Sequence, residues 1–366
     1  MVSRFGYITL LGLTLLCVGR VLAQFDLERD DIVYLVTAQY GGIEEIWSYD
    51  PIYGYSELVA NLKQENNSIR DIEFDWDNGQ IYVLRVEGGF AGFSYLGESQ
   101  IVRVDMETLK EETVFSRKNI LRLDLSPNGR IALLTVAPED VIETNRDNLD
   151  SLQKCFVDVF GPVAECLEVD FGEQGLPLEV LWLGSDQVVY ETHSVSGINV
   201  LNVATKDILH WAAPDNSLVS KIIPVPSTQN LLIYLTSTEV ERTCYLYQLG
   251  LDEGSISTEQ IMQLQCTSTI QFVDVSEDGS RLIIGYAGLP AILIDLYNRE
   301  YVGEIQLAYG LEWNSIQWLD SFRNYLAIGE LDFRGNPVLI TTLYPRGTIS
   351  LHTQPVPEGV VRIVVP

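Results

Sequence analysis

An all-β fold built from repeated four-stranded units is predicted by three observations. The first is the stretch Ile270 to Ala287, IQFVDVSEDGSRLIIGYA, in which an alternating apolar run is broken by Ser-Glu-Asp-Gly and followed by a second apolar run. Alternation is the period of a half-buried strand, and Asp278-Gly279 offers the φ > 0 residues of a tight hairpin. The second is that this hairpin recurs with drift along the chain. The third is that each copy is followed by another strand–turn–strand segment. Together they predict a seven-bladed β-propeller with four antiparallel strands per blade, A to D from the centre outward.

The copies begin with Ile72–Leu84, Leu121–Val136, Leu178–Thr192 and Lys221–Ser237, continue with the stretch above, and end with Ser315–Leu331. Their turns fall at Asn78, Asn128, Ser185, Thr228, Asp278 and Phe322, 43 to 57 residues apart, which is the spacing of a propeller blade with loop insertions. The second hairpins are clearest at Ile101–Phe115, Ile198–Ala213 and Ala291–Leu307.

The seventh unit is split between the chain ends. Asp31 to Val36 reads as a B strand with no A strand before it, and Glu45–Tyr49 and Tyr55–Leu62 continue as C and D. Val360–Val364 supplies the missing A strand, so the C-terminal strand is expected to close the first blade. Closure removes the open edges a linear array would expose.

The first residues, MVSRFGYITLLGLTLLCVGRVLAQ, have the form of a secretory signal: Arg4 at the start, an apolar run from Tyr7 to Val18, and a small residue at Ala23. That run is too short to span a bilayer, which takes about 20 residues. Residues 1–23 are therefore expected to be a signal peptide and 24–366 one propeller domain, secreted or periplasmic, with no stable membrane insertion after cleavage. Cys17 follows Leu16 rather than a small residue, which argues against a lipoprotein anchor.

The chain carries 23 Lys and Arg against 51 Asp and Glu, a net charge of −28. Nucleic acid demands a basic surface, and anionic lipid repels an acidic one, so neither is an expected partner. A protein or other macromolecule, cationic in character, suits the charge better.

Beyond the signal lie Cys155, Cys166, Cys244 and Cys266, an even count in an exported chain. The repeat chooses among the three pairings. Cys155 and Cys166 flank the turn Phe160-Gly161-Pro162, and Cys244 and Cys266 flank the turn at Asp252-Glu253-Gly254. Each pair brackets the same hairpin in its own blade, so Cys155–Cys166 and Cys244–Cys266 are the expected disulfides.

The turns Leu125-Ser126-Pro127-Asn128-Gly129 and Val275-Ser276-Glu277-Asp278-Gly279 resemble the Ser-Pro-Asp-Gly turn of WD40-like propeller repeats, including the exported TolB-type ones. The Gly-His and Trp-Asp signatures of intracellular WD40 proteins are absent. The resemblance implies architecture rather than activity. It also implies that the B–C and D–A loops share one face. Two long B–C loops then become neighbours there. One is glycine-rich with Phe90, Phe93 and Tyr95; the other carries Glu139, Asp140, Glu143, Asp147 and Asp150. Long decorated loops on a rigid scaffold are where binding residues concentrate.

Candidate chemistry is sparse. The histidines are His193, His210 and His352, none at metal-ligand spacing, and no G-x-S-x-G elbow, Walker loop or G-x-G-x-x-G occurs. No metal site or cofactor is predicted. Glu191 and His193 share a strand face. Glu73, Asp124 and Asp274 occupy matching positions near the ends of their A strands, which line the channel in a propeller. Three carboxylates converging at one mouth could hold Ca²⁺, whereas the plainer expectation is that each serves its own turn. The leading expectation is a non-catalytic exported scaffold for a macromolecule. The alternative is a propeller enzyme, acting on a lactone or glycan at the channel mouth.

Overall fold

The computed structural model describes residues 32–39, 42–50, 55–63, 67–87, 97–139, 152–161, 165–169, 180–191, 196–225, 228, 230–238, 242–252, 255–266, 270–276, 278–287, 289–305, 311–318, 325–331, 336–343, 349–350 and 360–364. The signal-like segment, Phe90, Phe93, Tyr95, Asp140, Glu143, Asp147, Asp150, His193 and His352 lie outside them. Glu139 lies at their margin and is exposed.

The elements are all strands among the described residues. The first group comprises β1 (Val33–Gln39), β2 (Gly42–Asp50) and β3 (Tyr55–Asn61); the second β4 (Asn67–Asp75), β5 (Gln80–Glu87), β6 (Glu98–Asp105) and β7 (Glu111–Lys118). The third is β8 (Ile120–Leu125), β9 (Ile131–Val136), β10 (Gln153–Asp158) and β11 (Leu167–Glu168). The fourth is β12 (Val180–Leu183), β13 (Gln187–Glu191), β14 (Gly197–Asn202) and β15 (Ile208–Ala212). The fifth is β16 (Ser217–Pro224), β17 (Asn230–Ser237), β18 (Thr243–Asp252) and β19 (Ser255–Gln265). The sixth is β20 (Ile270–Val275), β21 (Arg281–Tyr286), β22 (Ala291–Asp295) and β23 (Glu300–Ile305). Last come β24 (Leu311–Trp318), β25 (Tyr325–Leu331), β26 (Asn336–Leu343), β27 (Ile349–Ser350) and β28 (Val360–Val364).

Five groups are separate four-stranded antiparallel sheets. The first two are joined through the single residue pair Ile43–Ile69 of β2 and β4. The strand Val360–Val364 pairs antiparallel with β1, Tyr34 opposite Val364 and Val36 opposite Arg362. The lead strand of one sheet lies beside that of the next: β4 by β8, β12 by β16, β16 by β20, β20 by β24 and β24 by β28.

The core lies between sheets. On β5, Ile81 and Val83 pack against Tyr34, Val36 and Ile46 of the first group, while Tyr82 and Leu84 pack toward Leu123 and Leu134 of the third. On β17, Leu231 and Ile233 face Val189 and Val200, while Leu232 and Tyr234 face Leu282 and Ile284. The second strand of a sheet is thus covered on both faces. This explains why IALLTV and RLIIGY read as nearly unbroken apolar runs.

The recurrent turn has a shared chemistry. In β8–β9 the Ser126 hydroxyl accepts from Ile131 N–H (2.9 Å) and donates to Asn128 Oδ1 (2.8 Å), and Gly129 N–H bonds Ser126 C=O. In β20–β21, Ser276 does the same toward Arg281 N–H (2.9 Å) and Asp278 Oδ1 (2.7 Å). Only Gly279 takes a positive φ there (+69°), so the expectation that Asp278 shares it is corrected. The serine and Asx side chains satisfy the turn's backbone, and one glycine suffices.

Both disulfides join the cysteine pairs that the repeat indicates, with Cα atoms 5.3 Å apart for Cys155–Cys166 and 5.6 Å for Cys244–Cys266.

Candidate functional site: a charged cluster on the lead strands

The lead strands carry a feature with no local sequence signal. A β-bulge interrupts pairing near the start of β4 (between Ile69 and Asp71), β8 (Ile120 and Arg122), β16 (Val219 and Lys221), β20 (Ile270 and Phe272) and β24 (Trp313 and Ser315). In β28 the partner register slips in the same way beside Arg362. A bulge adds one unpaired residue and re-aims those that follow. The first paired residue after each bulge is therefore equivalent from sheet to sheet: Asp71, Arg122, Lys221, Phe272, Ser315 and Arg362. Two residues on, Glu73, Asp124 and Asp274 stand at matching registers, opposite Tyr82, Leu133 and Ile283.

Three of these strands bring their charges together. The Arg362 guanidinium donates to Glu73 Oε1 and Oε2 (3.1 and 3.3 Å) and to Ile72 C=O (2.7 Å). Arg122 pairs with Asp124, Nη2 to Oδ1 at 2.8 Å. Asp71 accepts from Leu123 N–H at 3.0 Å, tying β4 to β8, and Arg70 donates to Ile120 C=O at 3.1 Å. Behind them Lys154 of β10 is buried, its Nζ on Thr135 Oγ1 at 3.1 Å.

The cluster is deep yet wet. Arg362 and Arg122 keep 43% and 47% of their side-chain surface exposed, while Glu73 and Asp124 keep 21% and 14%. Burial pushes Glu73 up to about 7, with Arg362 opposing. Burial also raises Asp124, against Arg122 and Lys154, and raises Asp71, against the Leu123 N–H. Lys154 is lowered by burial to about 8, with Asp124 resisting. Burial would lower Arg362 too, but Glu73, Asp71 and Asp124 outweigh it and hold it above its usual value. A carboxyl poised near neutrality beside arginines can move a proton or orient a polar ligand.

Of the three acids singled out in the sequence, Glu73 and Asp124 meet in this cluster, each paired to an arginine rather than to its own turn. Asp274 lies on β20 and accepts from the next residue's N–H, Val275, at 3.0 Å. Among the described residues no group of acids, histidines or cysteines is arranged to hold a metal ion. Sequence reasoning missed Asp71, Arg122, Lys154 and Arg362. The available hint was a charge inside an apolar lead strand, as in VVRIV. Elsewhere, an apolar cavity of about 380 Å³ between Phe156, Leu167, Leu201 and Ile208 stands apart from these charges.

No family model matches the chain, and no curated protein is similar to it in sequence. Its fold has many solved counterparts. An oligogalacturonate lyase in complex with manganese matches with TM-score 0.60 at 11% identity, over 87% of this chain and 92% of the other. Pseudomonas aeruginosa periplasmic gluconolactonase, PpgL, matches with TM-score 0.58 at 14% identity, over 92% and 99%. The β-propeller domain of Swd1 from Myceliophteria thermophila matches with TM-score 0.55 at 14% identity, over 82% and 90%. Likeness at such identity shows the fold alone. The fold is thus of the β-propeller type, and the chain is a propeller-type repeat protein.

Proposed function

We propose that this chain is an exported seven-bladed propeller, closed by its C-terminal strand, that acts on a small polar substrate at the charged inner-strand cluster. The observation that carries this reading is the pair Glu73–Arg362: a carboxyl of near-neutral pKa, deep but solvent-accessible, in a strongly acidic chain. Glu73 serves as the proton-transferring group, and Arg362 and Arg122 orient the substrate. Structurally similar propellers include a lyase of oligogalacturonate and a gluconolactonase, which makes sugar acids, lactones and glycans the first substrates to try. The seven-bladed closure is supported by the β28–β1 pairing and by the succession of neighbouring lead strands. Export is supported by the signal-like start and two disulfides. Turnover of a lactone and oligosaccharide panel that falls at least a hundredfold in Glu73→Gln is the expected result. Turnover unchanged by that substitution would sink the assignment.

A second reading is a macromolecule-binding scaffold. It is favoured by the β22–β23 hairpin, where Tyr297, Tyr301 and Val302 are 86%, 51% and 44% exposed. Such aromatics make good anchors. Partner capture lost in Tyr297→Ser with Tyr301→Ser, and intact in Glu73→Gln, would favour it.

A further inference from the structure

The post-bulge layer inverts the charge balance of the molecule. Over the whole chain acids outnumber cations by 51 to 23. At the equivalent positions of the inner strands stand Arg362 on β28, Arg122 on β8 and Lys221 on β16, with Asp71 on β4 the one acid. Arg70, bonded to the Ile120 carbonyl, and the buried Lys154 add further cationic charge on the same strands and β10. The acids nearest this layer are Glu73 and Asp124. Burial raises both, and each is held against a single arginine.

The two arginines also keep donors in hand. Arg362 directs Nη1 and Nη2 at Glu73 and the Ile72 carbonyl, and Arg122 directs Nε and Nη2 at Asp124 Oδ1. A guanidinium has five N–H donors, so each can grip a second oxyanion while its own carboxylate fixes the plane of the fork. Both remain open to solvent. A free arginine on a flexible stem would lose more freedom on binding than these pre-oriented ones.

We infer that this layer is a binding site for a small oxyanion carrying two or more negative charges, a dicarboxylate or a phosphate, held between Arg362 and Arg122 with Lys221 completing the set. The inference rests on the proposed function and names the ligand's charge. Lys221 joins the same mouth through the proposed ring closure. Arg122 and Arg362 need no closure, because they flank β4, and contacts to β4 on either side are present.

The test is calorimetric titration of the chain with succinate, with inorganic phosphate, with the neutral analogue succinamide and with CaCl₂, at fixed ionic strength. Saturable binding of succinate or phosphate, with no succinamide binding, is expected, and the stronger of the two tells carboxylate from phosphate chemistry. Arg122→Gln and Lys221→Gln should each weaken it tenfold or more, Arg122→Lys should weaken it less than Arg122→Gln, and Arg103→Gln, outside the cluster, should leave it unchanged. Circular dichroism confirms that each variant is folded. Anion binding that is equal in all variants, or absent from the wild type, overturns the inference. Binding of succinamide or Ca²⁺ that disappears in Asp124→Asn would overturn the anion class while leaving the cluster as the working site. If succinate and phosphate do not bind but a lactone is turned over through Glu73, the ligand class fails and the proposed function stands.

Discussion

Arg362 grips Glu73 across a sequence separation of 289 residues, through contacts of 3.1 and 3.3 Å, and the same guanidinium caps the Ile72 carbonyl at 2.7 Å. The last strand is therefore fastened on two sides. Its backbone pairs with β1, and its one charged side chain reaches β4 of the next group.

Separating the two fastenings gives the first prediction. Arg362→Ala removes the partly exposed ion pair and the carbonyl contact, and should lower stability by about 1–2 kcal/mol. Deleting residues 360–366 also strips β1 of its ladder and uncovers Tyr34 and Val36, which are fully buried. That loss should exceed about 4 kcal/mol and bring aggregation through the bared edge. Urea denaturation of both variants checks the order. Equal, small effects would mean β28 contributes little to closing the fold.

The second concerns pH. Glu73 has a folded-state pKa of about 7 against an ordinary value of 4.5, so the folded state holds its proton more tightly than the unfolded one. Its contribution is most favourable below pH 4.5 and is lost as pH rises through 7, a change of order 3 kcal/mol. The many other acids also titrate, so the measured quantity is the stability of wild type minus that of Glu73→Gln. This difference should fall between about pH 4.5 and 7 and be flat above. A difference that rises with pH would mean that Arg362, not burial, governs Glu73.

The third sets two glycines against each other. Gly129 and Gly184 have nearly the same backbone, φ +69° and +68°. A Cβ at Gly184 meets open space, whereas one at Gly129 would overlap the carboxylate of Asp75 in the neighbouring sheet. Gly184→Ala should cost about 1–2 kcal/mol from the left-handed backbone alone. Gly129→Ala should cost at least about 2 kcal/mol more, because Asp75 is buried and bonded to Asn78. Thermal melts of the two variants decide it, and equal losses would show that the sheets can yield there.

The fourth uses the disulfides. Replacing either pair by serine should cost about 2–4 kcal/mol. Cys244–Cys266 closes a span of 22 residues and Cys155–Cys166 one of 11, so loop entropy makes the former worth about 0.6 kcal/mol more. Denaturation of the two double variants measures this. A reversed order would point to packing around the sulfurs as the larger effect.

The repeat was legible because a local device marks it. Ser126 with Asn128, and Ser276 with Asp278, satisfy their own turn backbone, so the same short motif returns at the ends of β8 and β20. Val360–Val364 could be placed for a related reason: a strand was missing at one end and spare at the other. The bulges were not legible, since Arg70, Leu121 and Ser220 share no side-chain property that would betray a skipped residue. The cluster was half legible. Glu73 and Asp124 follow from their distance to the turn, but their partners do not, because Arg362 becomes a neighbour of Glu73 only through tertiary folding. The two-sided burial of strands such as β9 and β21 was visible as nearly unbroken apolar runs.

Because β1 is completed by β28, the first of the described strands to be translated is among the last to find its full ladder. Sheets β8–β11 through β20–β23 can each form as soon as their own residues are made. The edge of β1 must wait until residues 360–364 have been translated, and it stays an open template for foreign strands throughout that interval. Slow elongation therefore prolongs the hazard, and a circular permutant with its new termini in a loop between sheets, and the old ones joined, would shorten it.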